Sequence, residues 1–262
     1  MLLAVRALAM IEVAPIISSD SVPQVAKIAL AGFTAFAVFP DAAGRALWTA
    51  LPGINTGPFG LEFLLLILGE GIIGIILGFL ITIIFAAFST AGQFFSLQMG
   101  FSISETFDPL SQIENPLMGQ FLNLIAMLTF LVIGGFRGLF LTGFWHSVQS
   151  FNVIKLIEGR EYLTAVMTGG LSRLFLDAIM ISMPILGALF LTSLATGLIS
   201  KTAPQINILT EGFPISIGVT FVLIMAIMPF MVEAFANILD SGFTTLEDLF
   251  IHAGGINPRM IE

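Results

Sequence analysis

Two histidines, no cysteine and a few carboxylates beside long apolar runs make up the reactive inventory of this sequence. A zinc site needs three or four N, S or O ligands, and His146 and His252 stand 106 positions apart with no thiolate between them. A metalloenzyme therefore lacks its ligands, and without Cys there is neither a disulfide framework nor a Cys nucleophile. No GxxxxGK[ST], HExxH or GxSxG occurs, so a phosphate cradle, a zincin helix and a nucleophile elbow are all missing their minimum residues. What remains are Glu70, Asp177, Glu211 and Glu233, each bordering a long uncharged run. A carboxylate at membrane depth can relay protons; at a run's edge it more simply ends a helix, bonds a neighbouring helix or pairs with a cation. Trp145 and His146 form an interfacial pair at a helix end.

The elements that would position these groups are set by composition. Of 262 residues, 57% are hydrophobic and 10% are charged, against about 25% charged in a soluble domain. Too few charges exist to cover a water-exposed surface, so lipid or other protein must solvate most of the chain. The net charge of −8 leaves no basic field for nucleic-acid phosphates, and no polybasic cluster flanks a span. Nine basic residues, spread singly, do not set an orientation.

Uncharged runs of 21 residues between Glu211 and Glu233, 23 between Asp177 and Lys201, and 22 between Glu114 and Arg137 each match one membrane thickness as a helix. The 34-residue run from Gly71 to Ser104 would measure roughly 50 Å as one helix, beyond a hydrocarbon core of about 30 Å. It must kink, turn back or leave the bilayer. Leu2 to Ile17 and Val25 to Pro40 are shorter and suggest a helical hairpin around SSDSVP. Arg6 lies inside the first of them and Glu12 comes before any small-residue cleavage site, so this segment is expected to remain in the mature protein. The fold expected is all-α, with about six apolar helical segments arranged as membrane-type hairpins. The interval from His146 to Asp177, with charges interleaved among apolar residues, suits an interfacial helix or a solvated loop.

Three constellations stand out against this background. Glu70, Gly74 and Gly78 recur every fourth residue in GEGIIGIILGF, which puts both glycines on one face where another backbone can approach. In QMGFSISETFDPLSQIENP, an apolar helix gives way at Gly100, and Pro109 forces Asp108 out of helical geometry. An irregular polar segment beside such a run is either a loop outside the bilayer or a lining buried by protein. Phe101 and Phe107 on that loop are apolar discs able to fill a lumen reversibly. In ISKTAPQINILTEGFP, Lys201, Pro204, Gln205, Asn207 and Glu211 cluster at a turn between two span-length helices.

At QMGFSISETFDP, KTAPQINI with GFP, EGIIGIILGF and an N-terminal pattern of Arg6, Pro15, Pro23 and Pro40, the sequence resembles the FliR family of the flagellar type III export gate and its injectisome counterparts, the SctT family. The resemblance is near full length. It implies a non-enzymatic subunit without cofactors, built as a FliP-like part (1–176), a FliQ-like hairpin (177–240) and a short C-terminal tail (241–262). It also implies assembly with FliP-like and FliQ-like chains around an export path for unfolded flagellar substrates, in the bacterial inner membrane within the basal body. FlhB-like and FlhA-like export components would be neighbours. Under this resemblance Gly100, Phe101, Phe107, Asp108 and Pro109 form a gate loop, Glu70, Gly74 and Gly78 pack helices, and Lys201, Pro204, Gln205, Asn207 and Glu211 form a subunit-contact turn. The alternative is a proton-coupled secondary transporter in which Glu70, Asp177 or Glu211 binds the proton. An intramembrane hydrolase would need a nucleophile and base that cannot be assembled here.

Overall fold

The computed structural model describes residues 1–19, 22–44, 60–100, 117–202 and 208–252, and among these there are helices and turns but no strand. In chain order the helices are α1 (Leu2–Val13), α2 (Gln24–Gly44), α3 (Leu61–Met99), α4 (Leu117–Val132), α5 (Gly135–Ser150), α6 (Val153–Glu158), α7 (Arg160–Thr202) and α8 (Ile208–His252). The apolar segments of the sequence fall in α1, α2, α3, α4, α7 and α8, and α5 is a further helix beyond them, which makes this an all-α protein of membrane type. Three stretches are long and apolar enough to cross a membrane: Phe63–Met99, Arg160–Thr202 and Pro214–His252. The broken pair α4 and α5 makes a fourth if counted as one span.

The overlong run resolves in favour of length. α3 continues without interruption for 39 residues, roughly 58 Å at the helical rise, because no proline interrupts it and its glycines cost little where packing compensates. It ends at Gly100, whose φ of 84° is a left-handed conformation that L side chains adopt at a cost. α7 and α8 tolerate internal prolines at Pro184, Pro214 and Pro229. The charged interval after His146 is helical rather than a loop. It holds the end of α5, then α6, then the start of α7, with the Asn152 side chain accepting the Lys155 amide at 2.8 Å to cap α6.

The chain divides into two compact units. The first comprises Met1–Ile84, Ile133–Leu171 and Leu239–Glu262. Here α1 and α2 form the expected hairpin, turned by the Ile17 and Ser18 amides donating to the Ala14 carbonyl. Lys27, almost fully buried, donates to Glu12 at 3.2 Å and to the Ser18 carbonyl at 3.1 Å, which ties the turn shut. Leu3, Ala7, Met10 and Ile11 of α1 and Ile73, Leu77 and Ile81 of α3 lie in its core, and Phe151 meets Phe250 edge-on at 5.9 Å.

The second unit comprises Phe85–Val132 and Ser172–Ile238. Phe88, Phe95, Leu122, Ala126, Phe130 and Phe235 are fully buried; Phe85 packs edge-on against Phe130 at 5.5 Å, and the Phe88 and Phe235 rings meet tilted at 4.4 Å. Such ring pairs contribute about 0.5–1.5 kcal/mol beyond the area they bury. On α7 and α8, Leu176, Met180, Met183, Leu191, Val222, Met225 and Phe230 stay exposed. The apolar window of α3 is 56% buried, but those of α7 and α8 only 33% and 17%. Lipid or neighbouring helices must cover that surface.

Candidate functional site

The best-defined polar site is built on α1 from Arg6, a guanidinium placed in a helix otherwise made of aliphatic residues and Met up to Glu12. Arg cannot shed its proton in a protein, so a buried Arg requires anions or carbonyls around it. The first unit's part of α3 and the end of α5 supply them. Nε donates to Glu70 Oε2 of α3 at 2.6 Å, Nη1 to the Ser147 carbonyl at 2.8 Å, and Nη2 to the Phe151 carbonyl at 3.0 Å. Arg6 and Glu70 are almost completely enclosed. The Ser147 hydroxyl, which itself donates to the Phe144 carbonyl at 2.6 Å, lies 3.4 Å from Nη1.

Both carbonyls belong to the end of α5, where carbonyls run short of intrahelical donors; that of Ser147 also accepts the Phe151 amide at 2.9 Å. A cation there also opposes the negative end of the helix dipole. α5 reaches this position through a π-helical stretch, Gly138–Trp145, the wider winding that places an extra residue in the helix and re-aims its last turn. The His146 amide closes the stretch on the carbonyls of Gly143 and Leu141.

Gly74 and Gly78 of α3 lie against the backbone of α1. A Cβ on Gly74 would collide with the Arg6 carbonyl oxygen and lie 2.8 Å from Ala9 Cβ; one on Gly78 would lie 2.8 Å from the Met10 carbonyl oxygen and 2.7 Å from Val13 Cβ. Thr82 extends the seam by donating to the Val13 carbonyl at 2.9 Å. Glu70, Gly74 and Gly78 are thus brought together as a single face on which α1 lies, with its one cation at the end of the stripe. Of the two roles open to Glu70, the structure shows the ion pair.

The other expected residues are distributed as follows. Gly100 terminates α3, while Phe101, Phe107, Asp108 and Pro109 lie outside the described residues. Lys201 is exposed at the end of α7, Pro204, Gln205 and Asn207 lie outside the described residues, and Glu211 falls in the first turn of α8. Asp177 stands 3.7 Å from Arg173 one turn earlier, and Glu233 is exposed. Among the described residues no three His, Cys, Asp or Glu side chains converge as a metal site.

Sequence reasoning missed Ser147 and Phe151, which contribute backbone carbonyls that no residue type announces. It singled out Glu70 without assigning Arg6 as its partner. The available signal was a lone Arg inside an apolar helix, which demands an acid somewhere in the apolar set.

Comparison with known proteins agrees with this framework. The profile of the family described as "Bacterial export proteins, family 1" matches residues 1–242. The flagellar biosynthetic protein FliR of Escherichia coli (strain K12) is 32% identical over 248 residues, 93% of this chain and 89% of that protein. FliR of Bacillus subtilis (strain 168) is 28% identical over 256 residues, 97% and 95% of the two chains. The surface presentation of antigens protein SpaR of Shigella sonnei is 27% identical over 139 residues, about half of each chain. Because the family match runs from the Arg6 helix through the glycine seam of α3 and on into α8, the chain belongs to the FliR family, the bacterial export proteins, family 1.

Proposed function

We propose that this protein is a structural and gating subunit of the flagellar type III protein export channel, in the bacterial inner membrane within the flagellar basal body. The observation that carries the reading is the match to FliR proteins along nearly the whole chain. One copy assembles with FliP-like and FliQ-like subunits around the path taken by unfolded flagellar substrates, with FlhB-like and FlhA-like components alongside. Residues 1–176 correspond to a FliP-like part and 177–240 to a FliQ-like hairpin. The exposed apolar faces of α7 and α8 support this reading, since helices so poorly covered by their own chain need neighbours. The role is mechanical, not enzymatic. A transporter reading loses appeal because Glu70, its best-placed carboxylate, is held by Arg6 at 2.6 Å.

Within that assembly the segment from Gly100 to Pro109 acts as the gate. The left-handed Gly100 supports a change of chain direction at the end of α3. Burying one Phe contributes ~1.5–3 kcal/mol, enough for a few rings to exclude ions yet yield to a driven polypeptide. The turn from Lys201 to Glu211 faces neighbouring subunits. The test replaces Phe107 with Ala, or deletes residues 101–108, in cells that assemble the complex. Ion leakage across the membrane should rise with assembly preserved, and unchanged conductance in correctly assembled variants would reduce the segment to a connector.

A further inference from the structure

In the second unit, α3 and α4 meet backbone to backbone at one glycine pair. A Cβ on Gly92 would lie 2.5 Å from the Gly119 Cα, 2.6 Å from its amide nitrogen and 2.6 Å from the Met118 carbonyl carbon. These are main-chain atoms with no rotamer in which to escape, so any side chain at Gly92 must push the helices apart. In the other direction a Cβ on Gly119 would lie 3.0 Å from the Ser89 carbonyl oxygen, so the α-hydrogen now there points at that carbonyl, a weak contact typical of close helix crossings. Glycine is not needed this way everywhere. Gly187 and Gly197 on α7 and Gly218 on α8 have nothing within 4 Å of a Cβ.

The crossing lies close to the free ends of both helices. Gly92 precedes the end of α3 at Met99 by seven residues, and Gly119 is the third residue of α4. Packing continues to those ends, where Phe95, Met99, Met118 and Leu122 are buried; at the far end Phe85 and Phe130 staple the same pair. Two helices held at both ends of their contact form a stiff stalk, and the chain leaves α3 and re-enters α4 at its tip.

We infer that the Gly92–Gly119 crossing is a positioning element of the export gate, fixing the spacing of the two helix ends from which the gate segment departs and to which it returns. The inference rests on the reading of residues 100–109 as the gate. Neither glycine touches the exported chain; both act through the helix ends they hold together.

The chain contains no cysteine, so Leu97→Cys and Leu117→Cys, at two exposed positions near the tip, accept unique spin labels. Pulsed EPR on the complex co-expressed with FliP-like and FliQ-like chains reads the distance between them, and ion leakage is measured in the same cells without the labels. Gly92→Ala should lengthen the distance by about 2 Å, since interaxial separation depends on side-chain size at the contact, and raise leakage while assembly persists. Gly119→Ala, with its milder conflict, should do the same to a smaller degree. Gly187→Ala should change neither. An unchanged distance in an assembled Gly92→Ala complex overturns the inference, as does loss of assembly in both glycine variants. A lengthened distance without leakage also overturns it. The gate reading then survives if Phe107→Ala still leaks, and falls with the inference if it does not.

Discussion

Breaking the Arg6–Glu70 pair should cost more than any surface change, and the size of the loss is set by the groups each partner leaves behind. Glu70→Leu strands a guanidinium that is 1% exposed, and removing one member of a buried pair costs about 3–5 kcal/mol. Arg6→Met takes the cation from Glu70 and also withdraws the donor that the Phe151 carbonyl receives at 3.0 Å, adding about 1–3 kcal/mol for an orphaned acceptor. The Ser147 carbonyl suffers less, because it still accepts the Phe151 amide at 2.9 Å. Combining Arg6→Met with Glu70→Leu removes both charges and leaves chiefly the Phe151 carbonyl unsatisfied, so the double variant should lose only about 1–3 kcal/mol. The assay is a double-mutant cycle on reversible denaturation of the full chain in mixed micelles, with assembly yield as a second readout. The orphaned Phe151 carbonyl is common to Arg6→Met and the double variant and cancels, so a coupling energy of about 6–10 kcal/mol in magnitude is expected, the sum of the two stranded-charge losses. A value below about 1 kcal/mol, the range of exposed pairs, would refute the claim that this pair anchors α1 to α3 and α5.

The same packing logic yields other expectations. Gly74→Val should displace α1 through backbone collision with the Arg6 carbonyl and lower complex yield sharply, whereas Gly32→Ala, with nothing within 4 Å, should leave it unchanged; quantitative purification compares them. Lys201→Glu should impair assembly or motility through the contact turn, and a variant with wild-type swimming and complex yield would make that turn a plain connector. Lys27→Met should loosen the α1–α2 hairpin by about 1 kcal/mol, a modest loss because Glu12 is partly exposed, read as a small fall in melting temperature.

How much of this could be read in the sequence depended on whether the signal was local. Span-length helices and the Glu70, Gly74, Gly78 face come from uncharged runs and i, i+4 spacing, both of which are short-range properties. The 34-residue run was ambiguous because composition is equally satisfied by one long helix and by a helix that turns back, and packing along α3 decides between them. Arg6 and Glu70 are 64 positions apart, so their pairing is tertiary information that no period encodes. Gly92 and Gly119 read as ordinary small residues of two apolar helices, since a close crossing shows only when the partner backbone is in place. The π-helical stretch is likewise silent in GLFLTGFW, whose eight residues are too few to separate one winding from another. Phe101, Phe107, Asp108 and Pro109, together with Pro204, Gln205 and Asn207, lie outside the described residues, so their roles rest on resemblance and on loop chemistry.

The central claim is that this chain works as one member of a heteromeric channel, with its exposed apolar faces on α7 and α8 covered by other subunits. Native mass spectrometry of the chain co-expressed with FliP-like and FliQ-like partners tests it directly. The account predicts one defined particle containing a single copy of this chain with several copies of each partner, and an isolated chain that aggregates once detergent is lowered. A monodisperse, long-lived monomer, unchanged in mass when the partners are present, would contradict it.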